Sequence, residues 1–260
     1  MNRNKKIFLV LLTIIASVLI ALFFFFKKEK IQILKRYDTK RKETTTLEYI
    51  IKDKDTIFDG KFICYDAKGN KKYEGIFVNG NIRGKSIYYF SNGIIESIDY
   101  MKNSKITEES TYNFPNGNIK KYLMYDDLGM PTFIIRFDEK GNVKNYEGYP
   151  LLEIYQYKIA NKEKFKTKIN QYLKVGDTLK HQYLIAYIPN AQRSVKIENI
   201  DADDAKAKPT FKKTSQTRID VKEILTKKGI NTIRAVVKYD FNDNKKTVIN
   251  DTISFKIKVN

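Results

Sequence analysis

The chain has 260 residues, 42% apolar and 30% charged, a globular balance that excludes wholesale disorder. It contains no Trp, one Cys (Cys64) and one His (His181). An internal disulfide, a Cys-based zinc site and any metal motif built on two histidines are therefore excluded. The net charge is +19, but only eight of the 49 basic residues are Arg, and base and phosphate readout in nucleic acids leans on the Arg fork. The composition weighs against nucleic-acid binding and against an enzyme, and no cofactor or metal is expected.

Residues 7–26 read IFLVLLTIIASVLIALFFFF, a run without charge. As a helix it would span about 30 Å, the hydrocarbon thickness of a bilayer. Arg3, Lys5 and Lys6 precede it, and Lys27, Lys28 and Lys30 follow it. A cleaved signal peptide has a shorter apolar region ending in small residues; this run ends in four Phe. The expectation is a single-pass signal-anchor with residues 1–6 as a cytoplasmic tail. The downstream flank is also basic, which opposes that orientation by charge counting, yet large domains translocate largely regardless of charge. The bulk of the chain is expected outside the cytoplasm, in the periplasm or at the cell surface. Residues 27–45, KKEKIQILKRYDTKRKETT, show no periodicity and suggest a basic linker able to touch anionic headgroups.

A short period dominates residues 46–150. Glycines fall at Gly69, Gly80, Gly93, Gly117, Gly129 and Gly141, with one unit near Asn103 lacking its glycine. An aromatic precedes each by three or four residues: Tyr65, Phe77, Phe90, Phe114, Tyr125 and Phe137. Asn-Gly favours two-residue hairpin turns, and D-x-x-G favours a longer turn with Gly left-handed. Between turns the side chains alternate with period two, as along Lys85–Phe90 and Lys121–Tyr125. Successive antiparallel strands, one per roughly twelve residues, are predicted as a β-meander.

Residues 73–93, YEGIFVNGNIRGKSIYYFSNG, resemble the MORN repeat, Y-x-G-x-F-x-x-G-x-x-x-G-x-x-x-Y. Tyr73, Gly75, Phe77, Gly80, Gly84 and Tyr88 carry the match. Later units keep only the aromatic and the turn. That degenerate form is similar to the bacterial MORN-variant proteins often described as antitoxin components of toxin–antitoxin modules. The resemblance covers about residues 58–148 and implies a binding or scaffolding role, through protein or phospholipid contacts. It also raises the alternative of a neutraliser that masks a partner toxin. Aromatic side chains in a thin sheet are mostly packing residues, but one layer cannot hide two faces. Tyr73, Phe77, Tyr88 and Phe90 are the candidate binding residues.

The glycine period stops after Pro150. In residues 151–260, strand-like runs occur at Gln182–Ile188, Ser194–Ile200, Thr217–Val221, Asn231–Tyr239 and Thr247–Val259. This spacing predicts a β-sandwich. KKGINTIRAVVKYDF resembles the penultimate strand of immunoglobulin-like modules, and DTISFKIKV resembles the closing strand. Residues 162–173 fit a short helix or an edge strand. The predicted class is all-β behind a transmembrane helix. His181 is expected to be a structural or surface residue. Asp201, Asp203 and Asp204 lack calcium-loop spacing, and Cys64 is expected to be a small buried hydrophobe.

Overall fold

The computed structural model describes residues 15, 17, 30–157, 173–202 and 209–260. The tail 1–6 and nearly all of the apolar run 7–26 lie outside them, as do residues 162–172. Among the described residues, no helix is long and apolar enough to cross a membrane.

The described chain is all-β, and its sheets are antiparallel. Eleven strands form one sheet: β1 (Gln32–Asp38), β2 (Glu43–Lys52), β3 (Asp55–Tyr65), β4 (Lys71–Val78), β5 (Asn81–Ile82), β6 (Gly84–Tyr89), β7 (Ile95–Asn103), β8 (Ile106–Asn113), β9 (Ile119–Tyr125), β10 (Pro131–Phe137) and β11 (Val143–Gly148). Apart from the short β5, which folds back on β4, each strand pairs with the next in sequence. The predicted meander is therefore present, but it starts earlier than residue 46. The segment expected to be a linker supplies β1 and the start of β2, paired in register from Gln32↔Tyr49 to Asp38↔Glu43. The strand was illegible because β1 is exposed on both faces, so no apolar alternation marks it.

The structural unit is a hairpin of 24 residues rather than a strand of twelve. Turns at 66–70, 90–94, 114–118 and 138–142 recur on one edge of the sheet. In each, the first residue's amide donates to the fifth residue's carbonyl, and the fourth residue, glycine, donates back to the first. The turn at 126–130 repeats this on the other edge. Gly69, Gly93, Gly117, Gly129 and Gly141 have φ of 86, 83, 89, 78 and 87°, a left-handed conformation that suits glycine. Of the three Asn-Gly pairs, only Asn79-Gly80 makes a two-residue turn, with both φ positive, 49° and 76°. Asn92 and Asn116 instead sit third in five-residue turns. Their Oδ1 atoms accept the amides of Ile94 at 3.0 Å and Asn118 at 2.9 Å. In the Asp-first turns, Asp66, Asp126 and Asp138 accept that same fifth amide. Two sequence patterns thus satisfy one backbone need. The unit without glycine closes as a short turn, with Asn103 accepting the amides of Lys105 and Ile106.

Successive turns are also tied together. Asn92 Nδ2 donates to Pro115 O, and Asn116 Nδ2 donates to Glu139 O, one hairpin further along in each case. The array is stabilised mainly between neighbours, as in a solenoid.

Seven further strands follow: β12 (Leu151–Tyr157), β13 (Thr178–Ile185), β14 (Ala191–Asn199), β15 (Thr210–Lys213), β16 (Arg218–Ile224), β17 (Gly229–Phe241) and β18 (Val248–Val259). They form a four-stranded sheet, β12-β13-β16-β15, and a three-stranded sheet, β14-β17-β18. Sequence reasoning located five of the seven. It missed β12, which directly follows the array, and the fully exposed four-residue β15.

The two sheets and the end of the array share one core. Tyr122, Met124, Phe133, Ile135 and Phe137 are buried in one cluster with sandwich residues that include Leu151, Tyr183, Leu184, Val237 and Tyr239. At the margin, Arg218 binds Glu108 at 2.8 Å and Asp127 at 2.5 Å, and Lys102 reaches Asp127 at 2.9 Å. The register breaks between Tyr100 and Met101, opposite Glu109 and Thr107. This bulge leaves Glu108 unpaired on the ladder, free to reach the sandwich. Arg218 and Glu108 are nearly dry, so replacing Arg218 with Met would strand a buried carboxylate. We expect a cost of about 3–5 kcal/mol in denaturant unfolding of R218M.

Candidate binding surface

The strand register assigns side chains to the two faces of the array. Across β3 to β9, the residues Cys64, Tyr73, Tyr88, Ser97, Tyr112 and Lys121 face one another in a row. The neighbouring row on that face runs through Phe62, Gly75 and Ser86 to Asp99 and Ser110. Toward β9 and β10 the sandwich covers the opposite face, through Tyr122, Met124 and their partners.

On the first face the aromatic rings form a connected ladder. Centroids lie 5.6 Å apart for Phe58–Phe77, 4.9 Å for Phe62–Phe77, 6.2 Å for Phe62–Tyr73 and 6.0 Å for Tyr73–Tyr88. Such pairs contribute about 0.5–1.5 kcal/mol each beyond area burial. Three of the four predicted binding residues, Tyr73, Phe77 and Tyr88, therefore come together. Phe90 does not join them; it opens the 90–94 turn at the sheet edge. Sequence reasoning missed Phe58 and Phe62, because neither falls on a position of the matched repeat unit, residues 73–93.

Gly75 has a packing role here. A Cβ at this position would lie 2.7 Å from the Phe62 ring and 3.1 Å from Ser86 Oγ. The absent side chain lets Phe62 lie across the strand. Gly75→Ala should cost about 1–3 kcal/mol through overpacking, read as a lowered denaturant midpoint.

The ladder is partly wet and partly dry. Tyr88 remains 40% exposed, whereas Phe62 and Cys64 are buried. Burial, then the hydrogen bond with Cys64, pushes the Tyr73 hydroxyl up to about 12. Burial also raises Asp99, with partial relief from Ser110, and its Oδ1 has no hydrogen-bond partner. Among the described residues, no hydrogen bond or ring contact joins Tyr73, Phe77 or Tyr88 to the sandwich. The face offers aromatic area, with one under-satisfied carboxylate beside it.

Of the titratable groups that the sequence singles out, His181 and Asp201 make contacts within the fold. His181 is buried, stacked edge-on against Tyr183 and Phe255, with Nδ1 2.9 Å from the Tyr183 hydroxyl. Burial pushes it down to about 4. Asp201 accepts the Thr232 amide at 2.7 Å, while Asp203 and Asp204 lie outside the described residues. Among the described residues, no group of three His, Cys, Asp or Glu side chains could hold a metal.

One buried carboxylate lies at the junction itself. Tyr122 donates its hydroxyl hydrogen to Glu109 Oε2 at 2.7 Å and accepts the Tyr187 amide at 2.8 Å. Burial pushes Glu109 up to about 7, against the opposing hydrogen bond from Tyr122. Folded Glu109 therefore holds its proton in a range where the unfolded chain, near 4.5, has lost it. Its contribution to stability is full below about 4.5 and is lost as pH rises through about 7. Glu109→Gln should match the wild type near pH 4.5 and exceed it at pH 8, in denaturant midpoints measured across that range.

No protein-family model matches the chain, and no curated protein matches its sequence.

Proposed function

We propose that this is a membrane-anchored, noncatalytic binding or scaffolding protein, with a MORN-like array as its contact surface and an immunoglobulin-like sandwich as its rigid base. The observation that carries the reading is the aromatic ladder of Phe58, Phe62, Phe77, Tyr73 and Tyr88, on the face of the array turned away from the sandwich. Aromatic side chains with a polar tip are favoured at protein contacts because they bring large area at low entropic cost.

Three further observations support it. The MORN-like unit has a physical reason at each glycine: Gly75 admits a neighbouring ring, Gly80 makes a two-residue turn, and Gly84 lies at positive φ where the strand resumes. Lettered A to G in chain order, the seven sandwich strands run A-B-E-D and C-F-G, the order of a constant-type immunoglobulin domain. His181, Glu109 and Glu223 are buried. The uncharged run 7–26 is the proposed single-pass anchor, and the array and sandwich are placed outside the cytoplasm.

The test is cross-linking of the full chain in intact cells. A protein adduct formed by the wild type should fall about tenfold in Tyr88→Ala and persist in Phe211→Ala, a control at an exposed aromatic of the sandwich. Equal adducts in all three would overturn the ladder as the contact surface. External protease should degrade the chain in intact cells or spheroplasts, and full protection would overturn the placement outside the cytoplasm.

A further inference from the structure

A second surface lies at the sheet edge, where the β1–β2 turn meets the turn at 66–70. A recess of about 440 Å³ opens there. Its charged lining is Arg41, Lys42, Lys68, Lys71 and Lys72, against the two carboxylates Glu43 and Asp66. Tyr89 and Phe90 form an aromatic wall, which accounts for the candidate residue that the ladder leaves out.

Both carboxylates are already engaged. Buried Glu43 holds Lys72 at 2.5 Å and also lies 3.5 Å from the Cys64 thiol. Asp66 accepts the amides of Lys68 and Asn70, each at 2.8 Å, in closing its own turn. Asp38, just before the first turn, accepts the amides of Lys40 and Arg41 in the same way. Lys71 pairs with Glu74 at 2.9 Å. Arg41, Lys42 and Lys68 have no ion pair among the described residues. Three cations held around one concavity, one of them a guanidinium fork, favour a compact anion with several acceptor oxygens.

We propose that this recess binds a phosphate-bearing anion. Arg41, Lys42 and Lys68 take its non-bridging oxygens, and Tyr89 and Phe90 flank the group that carries the phosphate. The strand β1 leads to the recess from Gln32, six positions after the apolar run. One strand of seven residues covers about 23 Å, so, on the anchored reading proposed above, a headgroup phosphate of the membrane lies within reach, as does a free phosphate. The inference stands apart from the aromatic ladder, which is on the sheet face rather than its edge.

The test uses the full chain in nanodiscs of zwitterionic lipid. Inorganic pyrophosphate is titrated by calorimetry, and flotation with phosphatidylglycerol vesicles is compared with phosphatidylcholine vesicles. The variant Arg41→Gln/Lys42→Gln/Lys68→Gln alters exposed side chains that make no ion pair. It should bind about a hundredfold more weakly. The control Lys245→Gln/Lys256→Gln/Lys258→Gln removes equal charge from the sandwich and should change affinity less than about threefold. Binding of both probes assigns the chemistry to a soluble or a lipid phosphate alike. Binding of anionic vesicles alone assigns it to headgroups. A loss as large in the control, or no binding of either probe by the wild type, overturns the proposal. Tyr88→Ala should leave both titrations unchanged, so failure here is distinct from failure of the ladder.

Discussion

A sheet one layer thick has two faces, and folding can dry both only if something is laid over each. That constraint organises this molecule. The sandwich covers one face of the array at its far end, where Tyr122, Met124, Phe133, Ile135 and Phe137 enter a common core. The other face has to satisfy itself. It does so by laying large rings across small neighbours, Phe62 over Gly75 above all. The result is a surface dry enough to hold its shape, with Tyr88 still 40% exposed.

The junction shows how the polar groups are handled under the same constraint. A bulge in β8 sends Glu108 toward the sandwich, where Arg218 meets it. The adjacent Glu109 is held by Tyr122, whose hydroxyl also receives the Tyr187 amide. The array and the sandwich are thus fixed to each other by directional bonds as well as by apolar burial. An apolar contact alone would allow sliding; these bonds select one arrangement.

Much of this was legible in the sequence, and the exceptions have identifiable causes. Turn chemistry is local, so the glycine period located the strands of the array. Turn geometry was less accessible, because Asn-Gly serves either a two-residue turn, as at Asn79, or a five-residue one, as at Asn92 and Asn116. The choice depends on strand pairing, which a local pattern does not contain. β1 was hidden because a strand wet on both faces carries no alternation. At the candidate surface, Tyr73, Phe77 and Tyr88 were found through their repeat positions. Phe58 and Phe62 were not, since cross-strand neighbours cannot be read along one strand. The cationic recess was invisible for the same reason: it joins Arg41 and Lys68 from two different turns.

The hairpin module also makes the array a ruler. From β1 to β11 the path crosses nine strand-to-strand steps, about 40 Å at the usual interstrand distance. Asn92 and Asn116 each brace the next copy of the same turn, so an inserted or deleted hairpin would meet the fixings it needs on either side. Each such change would shift the sandwich by about 10 Å relative to the first strand while leaving both ends intact. Reach could therefore evolve by duplication alone, without redesign of the terminal domain.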